Sequence, residues 1–165
     1  MSAVAETLEH LVRETLALMN DGARLNDIVN TVEVDRSELE KPYLRNMYDE
    51  PEFVVRNIWR MYGGWYDGNP ANLKPAADAD LAREIADLAG GALQLAERGQ
   101  AVAEKDIRLA CHLVELAAQA EPDNKAAHAI RAEVYQKRRD SETSLMAKAI
   151  FGDAANASSA RIERE

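Results

Sequence analysis

Apolar positions along the chain recur mostly at spacings of three and four, the period of an amphipathic helix. The first such helix is predicted over residues 3–21 and ends before Gly22, a residue suited to a left-handed C-cap. Its apolar positions are Val4, Leu8, Leu11, Val12, Thr15, Leu18 and Met19. No segment alternates convincingly with period two, so the pattern predicts an all-α protein of antiparallel helical hairpins.

In the middle of the chain, segments that weakly predict a helix or a loop lie next to one segment that strongly predicts a helix. A short helix carrying Ile28, Val29 and Val32 is predicted after Asn26, its N-cap, and residues 35–48 read as a loop with at most one turn. The run from Asp49 to Glu52 has an N-cap acid and an early proline, so it predicts a helix start. That helix is expected to end at residues 63–64, and an ordered loop follows over residues 65–75.

The second half of the chain is predicted to form further antiparallel helices. Asp78 is the expected cap of one helix, which closes at Gly99, and the next is capped by Asp106 and ends before residue 122. Another begins at residue 123 or 124, and Ser141 is the expected cap of the last. Residues after Gly152 are small and polar, so we predict one helical domain over residues 1–152 and a frayed tail over residues 153–165.

Residues 94–139 resemble a tetratricopeptide unit when Pro122 is aligned with the final proline of that motif. Ala110 and Ala117 then occupy its small-residue positions, Val114 its large apolar position and Tyr135 the aromatic position of the next repeat. Two other positions depart from the motif. The partial match therefore favours close helical-hairpin packing over a peptide-binding groove.

Composition excludes several functional classes. The chain has 165 residues and a formal net charge of −9, which argues against nucleic-acid binding because a phosphate backbone is held by clustered Lys and Arg. No apolar run approaches the roughly 18 residues of a membrane span, and no secretory signal is visible at the N-terminus. The single cysteine cannot form an internal disulfide, so we expect a cytoplasmic protein.

The residues that most often bind metals are few and scattered. His10, His112 and His128 show none of the short spacings that bring ligands together, and we expect them on helix surfaces or half-buried. Cys111 and His112 are neighbours about 100° apart on a helix and cannot face one metal. No nucleophile turn or phosphate-binding loop is present. We therefore expect no metal, cofactor or catalytic residue in this chain.

Aromatic residues are concentrated in one stretch. Seven of the nine lie within residues 43–66, together with Arg45, Arg56 and Arg60, so this stretch differs from the rest of the chain. Aromatic and Arg residues are enriched in interface hot spots. They would also suit a pocket for an amphiphile with an anionic head, because Arg binds oxyanions bidentately. Three interpretations remain open here: a dense part of the core, a subunit interface, or a ligand pocket.

The sequence YDEPEFVVRNIWRMYGGWYDGNPANLKPA, residues 48–76, closely resembles the dimerisation domain of alkylsulfatases in the metallo-β-lactamase superfamily. The run from Arg56 to Pro70 is specific, and the likeness extends over most of the chain to the segment SLMAKAIFGDAA. The resemblance implies an all-helical, tetratricopeptide-like fold and a homodimer. It makes the following residues candidates for contacts with a partner or substrate: Arg56, Asn57, Tyr62, Trp65, Tyr66 and Asn69. The aromatic and arginine composition of the same stretch adds Trp59 and Arg60 as candidates for an interface or a ligand.

The chain departs from that family in one respect. The His-x-His-x-Asp-His zinc motif of the catalytic domain has no counterpart here, so zinc is expected only in a partner. The chain is then either a free-standing relative, which Met1 favours, or an excised domain. The leading hypothesis is a non-catalytic dimerisation module, assembling with a separate metallo-β-lactamase-fold hydrolase. The alternatives are a protein that binds an amphiphilic anion and a small hydrolase in its own right.

Overall fold

The computed structural model describes residues 2–163, and this part of the chain contains helices and no strand, as the apolar period predicted. The backbone forms two compact units, Met1–Pro75 and Ala76–Glu165. We call them unit 1 and unit 2. The sequence predicted a single helical domain over residues 1–152.

In its described part, residues 2–75, unit 1 contains four α-helices and one 3₁₀ helix. Their bounds are α1 Ala3–Asn20, α2 Leu25–Val29, α3 Arg36–Leu39, α4 Pro51–Gly63 and the 3₁₀ helix Pro70–Asn72. The chain leaves α1 through Gly22, whose φ of 80° is the left-handed conformation predicted there. The predicted cap at Asn26 is wrong, because the N-cap of α2 is Arg24. The single turn of α3 lies inside the predicted loop.

The core of unit 1 is built from large side chains. Its buried apolar residues are Leu11, Ile28, Val29, Val32, Val55, Ile58 and Trp59. Thr15, predicted on the same apolar stripe of α1, is also buried. Val4, Leu8 and Val12 of that stripe are instead between 37% and 48% exposed. The apolar stripe of α1 is therefore wider than the surface that this unit buries.

Over residues 76–163, unit 2 contains five helices, one more than the sequence predicted. Their bounds are α5 Asp78–Ala89, α6 Ala92–Val102, α7 Ile107–Ala120, α8 Lys125–Ser141 and α9 Leu145–Glu163. The prediction of one helix closing at Gly99 is wrong, because Gly90 and Gly91 break it with φ values of 91° and 130°. The predicted cap at Asp78 is also wrong, because the N-cap of α5 is Ala77. Residues other than glycine rarely adopt such angles, so this pair ends α5 and sets the start of α6.

The predicted caps of α7 and α8 are confirmed. The Asp106 carboxylate accepts a hydrogen bond from the backbone N–H of Leu109 at 2.9 Å. The Asn124 side chain accepts one from the backbone N–H of Ala127 at 3.0 Å. Both bonds satisfy first-turn amides that have no partner inside the helix.

The last helix differs from its prediction at both ends. Ser141 is the final residue of α8, and the hydroxyl of Ser144 accepts the hydrogen bond from the Ala147 N–H that begins α9. The sequence predicted a frayed tail from residue 153, whereas α9 continues to Glu163. Ala155 and Ser158 are buried on this helix, so small residues that look like a tail are packing residues here.

The core of unit 2 is built mainly from small side chains. Ala110, Val114 and Ala117, the positions singled out by the repeat pattern, are fully buried. Gly99 on α6 lies so close to α7 that a Cβ atom there would approach Cγ1 of Val114 to 2.7 Å. The absence of side-chain bulk thus lets the two helix backbones approach closely.

Candidate functional site

The eight candidate residues lie on α4 and the loop that follows it, and the structure divides them into two groups. Five are exposed: Arg56, Asn57, Arg60, Tyr62 and Trp65. Three are buried or half-buried: Trp59, Tyr66 and Asn69. The first group can contact a partner, whereas the second holds the loop in place.

The start of α4 sets the direction in which these side chains point. Pro51 occupies the first turn and Glu52 adds a negative charge near the helix N-terminus, both of which favour a start here. Val55, Ile58 and Trp59 then face the core. The helical period leaves the other side of α4 in solvent, which is where Arg56 and Arg60 lie.

Trp59 belongs to the core rather than to an exposed site. Its side chain is 9% exposed, and its indole N–H donates a hydrogen bond to the backbone carbonyl of Tyr66 at 3.1 Å. This bond ties the loop after α4 back to the helix. The core interpretation of the aromatic cluster is therefore right for Trp59.

Asp67 and Asn69 fix the rest of the loop. The Asp67 carboxylate accepts hydrogen bonds from the backbone N–H of Asn69 at 2.8 Å and from the Asn72 amide at 2.5 Å. These bonds favour the ionised form and lower the pKa of Asp67 below its ordinary value. The Asn69 side chain accepts the N–H of Ala71 at 3.2 Å, and the backbone N–H of Leu25 reaches the Asp67 carbonyl at 3.0 Å.

Large apolar groups and arginines are exposed on α4 and on the loop that follows it. Met61, Tyr62 and Trp65 are 77%, 61% and 75% exposed, and the Trp65 ring lies edge-on to Tyr66 at a centroid distance of 6.1 Å. We call the set Arg56, Arg60, Met61, Tyr62 and Trp65 the aromatic–arginine surface. Met61 was missed in the sequence, although its position four residues after the exposed Asn57 indicates the solvent face of α4.

This surface is positively charged in an otherwise acidic protein. Residues 56–66 contain two arginines and no acid, while the whole chain carries −9. Arg56 forms an ion pair with Glu52 at 3.2 Å, one turn earlier on α4. Within residues 2–163, Arg60 makes no ion pair. Its guanidinium is therefore available to an acidic group on a partner.

The three histidines do not come together. Nε2 of His10 lies 3.0 Å from the backbone carbonyl of Glu33 in unit 1, and His112 is exposed on α7. His128 is 7% exposed, so the expectation of a surface or half-buried position is wrong for it. Its burial is possible because both ring nitrogens have partners, the carbonyl of Pro122 at 2.9 Å and the hydroxyl of Ser158 at 3.0 Å.

A polar network joins α7, α8 and α9. Arg131 donates to Ser158 Oγ and to the Ala154 carbonyl, both at 2.7 Å, and its Nε and Nη2 donate to the Glu115 carboxylate. The hydroxyl of Tyr135 donates to the same carboxylate at 2.8 Å. Burial and this carboxylate raise the pKa of Tyr135. With its polar groups bonded to one another, the network stabilises the packing of the three helices.

Two cavities lie away from the candidate residues. One, of about 470 Å³ in unit 1, is lined by acidic residues beside His10 and Lys41. The other, of about 440 Å³ in unit 2, is lined by the network around His128 and Arg131. Neither is lined by any of the eight candidates.

Residues 2–163 contain neither a cluster of metal-binding side chains nor a helix suited to crossing a membrane. No group of three His, Cys, Asp or Glu side chains among residues 2–163 is arranged to hold a metal ion. None of the helices in this range combines the length and hydropathy that crossing a bilayer requires.

Comparisons with known proteins agree with one another. A family model described as alkyl sulfatase dimerisation matches residues 24–160. An (R)-specific secondary-alkylsulfatase from Pseudomonas sp. is 33% identical over 129 residues, which is 77% of this chain and 20% of that protein. A linear primary-alkylsulfatase from Pseudomonas sp. is 28% identical over 138 residues, or 83% of this chain and 20% of that protein.

The fold is also similar to a solved structure. The inverting sec-alkylsulfatase Pisa1 from Pseudomonas sp. matches with a TM-score of 0.80 and 28% identity, over 91% of this chain and 24% of that one. The chain spans about a fifth of the length of the curated relatives it matches. The similarity therefore concerns one part of those longer proteins.

Proposed function

Because this chain belongs to the alkylsulfatase dimerisation family, we propose that it joins two copies of itself through the aromatic–arginine surface. The proposal assigns Trp65, Tyr62 and Met61 to the apolar centre of the contact. Arg56 and Arg60 then supply polar contacts at its rim. No residue of the chain acts as a catalytic group in this proposal.

The exposure of Trp65 is the observation that carries this proposal. Three quarters of this large apolar side chain lies in solvent, and Tyr62 and Met61, which precede it by three and four residues in the chain, are more than half exposed. Large exposed apolar side chains are candidates for interaction sites, and Trp, Tyr, Met and Arg are the residue types enriched there. Burying Trp65 against a partner would remove this apolar area from water and favour association.

We further propose that the catalytic groups belong to a separate region or protein with a metallo-β-lactamase fold. The relatives named above are alkylsulfatases of which this chain corresponds to about a fifth. In this proposal the partner holds zinc and hydrolyses sulfate esters. The present chain determines how many copies of that partner are brought together.

Sedimentation velocity tests the dimer over a protein concentration range of about 1 to 100 µM. The wild-type chain should shift from monomer to dimer within this range. Trp65→Ala should raise the dimer dissociation constant by about tenfold or more, because a central aromatic contact is worth more than about 1.4 kcal/mol. The same substitution should leave the folded monomer intact.

Leu145→Ala is the matched control, since Leu145 is an exposed apolar residue at the start of α9 in unit 2. It should leave the dissociation constant unchanged. A wild-type chain that remains monomeric at the highest concentration would refute the proposed function. If Trp65→Ala and Leu145→Ala change the dissociation constant equally, the chain still dimerises but the aromatic–arginine surface is not the dimer interface.

A further inference from the structure

We infer that His128 makes the packing of α9 sensitive to pH. With a neutral His128 ring, the C-terminal half of α9, residues 153–163, is held against α8, and protonation of the ring releases it. The inference is independent of the proposed function, because it concerns helix packing inside unit 2 rather than association. It follows from the direction of the hydrogen bonds around His128 and from the way in which α9 is packed.

The hydrogen bonds around His128 fit a neutral imidazole. The carbonyl of Pro122, 2.9 Å from Nε2, can only accept, so Nε2 donates the hydrogen bond. Nδ1 of a neutral ring then carries no proton and accepts from the Ser158 hydroxyl at 3.0 Å. The same hydroxyl oxygen accepts a hydrogen bond from Nη1 of Arg131 at 2.7 Å. Each donor in this chain of bonds therefore faces an acceptor.

Protonation of His128 breaks this order. Nδ1 becomes a donor directed at an oxygen that already accepts from Arg131, and the Ser158 hydroxyl has to turn its own proton away. Two cations then share one hydroxyl in the interior, since Ser158 is fully buried and His128 is 7% exposed. A buried charge costs free energy unless an opposite charge pairs with it.

Charged groups of four helices line the cavity beside His128. They are Asp78 of α5, Glu115 of α7, Arg131 of α8 and Arg161 of α9. The carboxylate of Glu115 accepts hydrogen bonds from Nε and Nη2 of Arg131 and from the Tyr135 hydroxyl. Its charge is therefore already compensated by the guanidinium of Arg131.

The two remaining charges do not compensate a protonated ring. Asp78 is exposed at the first residue of α5, where water screens its charge. Arg161 adds positive charge, and its guanidinium lies 3.9 Å from the carboxylate of Asp123. Within residues 2–163, no carboxylate forms an ion pair with His128. The docked position of α9 therefore favours the neutral ring.

The C-terminal half of α9 depends on these polar bonds because it buries little apolar surface. Among residues 153–163, the buried side chains are those of Ala155 and Ser158, and both are small. The N-terminal half of α9 has a larger contact, since Phe151 stacks on Tyr135 with a centroid distance of 6.0 Å. Losing the bonds to Ser158 therefore weakens the second half more than the first.

Gly152 lies between the two halves of α9. Glycine is a weak helix former, so the helix can bend or unwind there while its first half stays packed. After release, the ring of His128 is solvated and takes up a proton freely. Because histidine ordinarily titrates near pH 6.5, release should become about tenfold more frequent between about pH 7.5 and pH 5.

Hydrogen exchange followed by mass spectrometry tests this inference on the full chain. Protection factors are corrected for the intrinsic pH dependence of exchange with an unstructured reference peptide. Those of residues 153–163 should fall by about tenfold between about pH 7.5 and pH 5, because the released half exposes its amides. Those of α6, which carries none of the groups around His128, should stay constant.

The same substitution at two histidines separates this effect from general effects of acid. His128→Gln keeps an amide N–H for the Pro122 carbonyl but does not titrate, so the protection of residues 153–163 should be equal at the two pH values. His112→Gln is the matched control, because His112 is exposed on α7. It should respond to pH like the wild type. A His128→Gln chain that still loses protection on acidification would overturn the inference.

The wild type decides the matter if circular dichroism shows that His128→Gln does not fold. Nitrogen NMR of the imidazole reports the tautomer and the protonation of His128, and at neutral pH the proton should be on Nε2. A ring that gains its second proton while residues 153–163 keep their protection would refute the release. Constant protection of the wild type down to about pH 5 would refute it equally.

Discussion

The two units bury apolar surface in different ways. Unit 1 surrounds Trp59 with leucine, isoleucine and valine, and its cluster of buried residues contains no alanine. The corresponding cluster between α5 and α8 in unit 2 consists of seven alanines and Leu95. Unit 1 therefore gains stability from the volume of its side chains, whereas unit 2 gains it from the close approach of its helix backbones. The stability of unit 1 should therefore fall most when side-chain volume is removed from its core, and that of unit 2 when volume is added.

The largest expected effect is the loss of the Trp59 side chain in unit 1. Trp59→Ala removes a buried ring and its hydrogen bond to the Tyr66 carbonyl, so it should lower the free energy of unfolding by about 3–5 kcal/mol. Urea denaturation monitored by circular dichroism measures this loss. Trp65→Ala is the control, because this indole is exposed and its removal should change monomer stability by no more than about 0.5 kcal/mol.

Two protein concentrations separate stability from association in that experiment. The unfolding of a dimer depends on protein concentration, while that of a monomer does not. A Trp59→Ala deficit that is the same at low and high concentration assigns Trp59 to the core of unit 1. A deficit found only where the wild type is dimeric would contradict that assignment.

An intermediate effect is expected from one added methyl group in unit 2. A Cβ atom at residue 99 would lie 2.7 Å from Cγ1 of Val114 and 3.2 Å from Cβ of Leu113, so Gly99→Ala should destabilise the protein by about 1–3 kcal/mol. Thermal or urea unfolding measures the change. Adding Val114→Ala to the Gly99→Ala chain removes the Cγ1 atom that the new Cβ would approach, so it should recover part of the lost stability.

Gly152→Ala is the control for this substitution, because it also replaces a glycine within a helix. The nearest atoms there are Cδ and Nε of Arg139, which belong to a flexible side chain that can move away. The higher helix propensity of alanine should make this change neutral or stabilising by up to about 1 kcal/mol. Equal destabilisation at both glycines would contradict the close approach of α6 and α7.

The smallest effect concerns the ionisation of Cys111 in unit 2. Burial raises the pKa of the Cys111 thiol to about 11, against a weaker opposing influence of the Arg138 guanidinium. The folded state thus favours the neutral thiol. The contribution of Cys111 to the free energy of unfolding is therefore fully present below the ordinary thiol pKa, and it declines as the pH rises towards 11. The ultraviolet absorbance of the thiolate, measured as the difference between the wild type and Cys111→Ser, should reach half of its maximum near pH 11. A midpoint near the ordinary value would indicate a solvated thiol.

The sequence predicted where helices form better than where they end. Periodic apolar positions identified α1, α4, α7 and α8, and the caps of Asp106 and Asn124 follow from side chains that bond the first-turn amides. The break at residues 90–91 was missed because the apolar period continues across it, although two adjacent glycines were visible. The extension of α9 was missed because alanine and serine look like a solvated tail unless a neighbouring helix covers them.

The sequence predicted which stretch of the chain contains the candidate residues, but not which of their side chains are exposed. Aromatic and Arg enrichment located residues 43–66, yet composition does not distinguish Trp59, which is buried, from Trp65, which is exposed. The helical period separates the two faces of α4 and would also have identified Met61. The direction of Trp65 depends on a loop fixed by hydrogen bonds to Asp67 and Asn69, and such bonds become visible only in three dimensions.

Those loop bonds have a consequence for how Trp65 would act in recognition. The segment from residue 64 to 72 is tied to α4 by the Trp59–Tyr66 bond and to α2 by the bond between Leu25 and Asp67, so its backbone is already ordered before any encounter. A pre-organised side chain loses little conformational entropy on binding. Loosening the loop, for example with Asp67→Ala, should therefore weaken affinity without removing a single contacting atom.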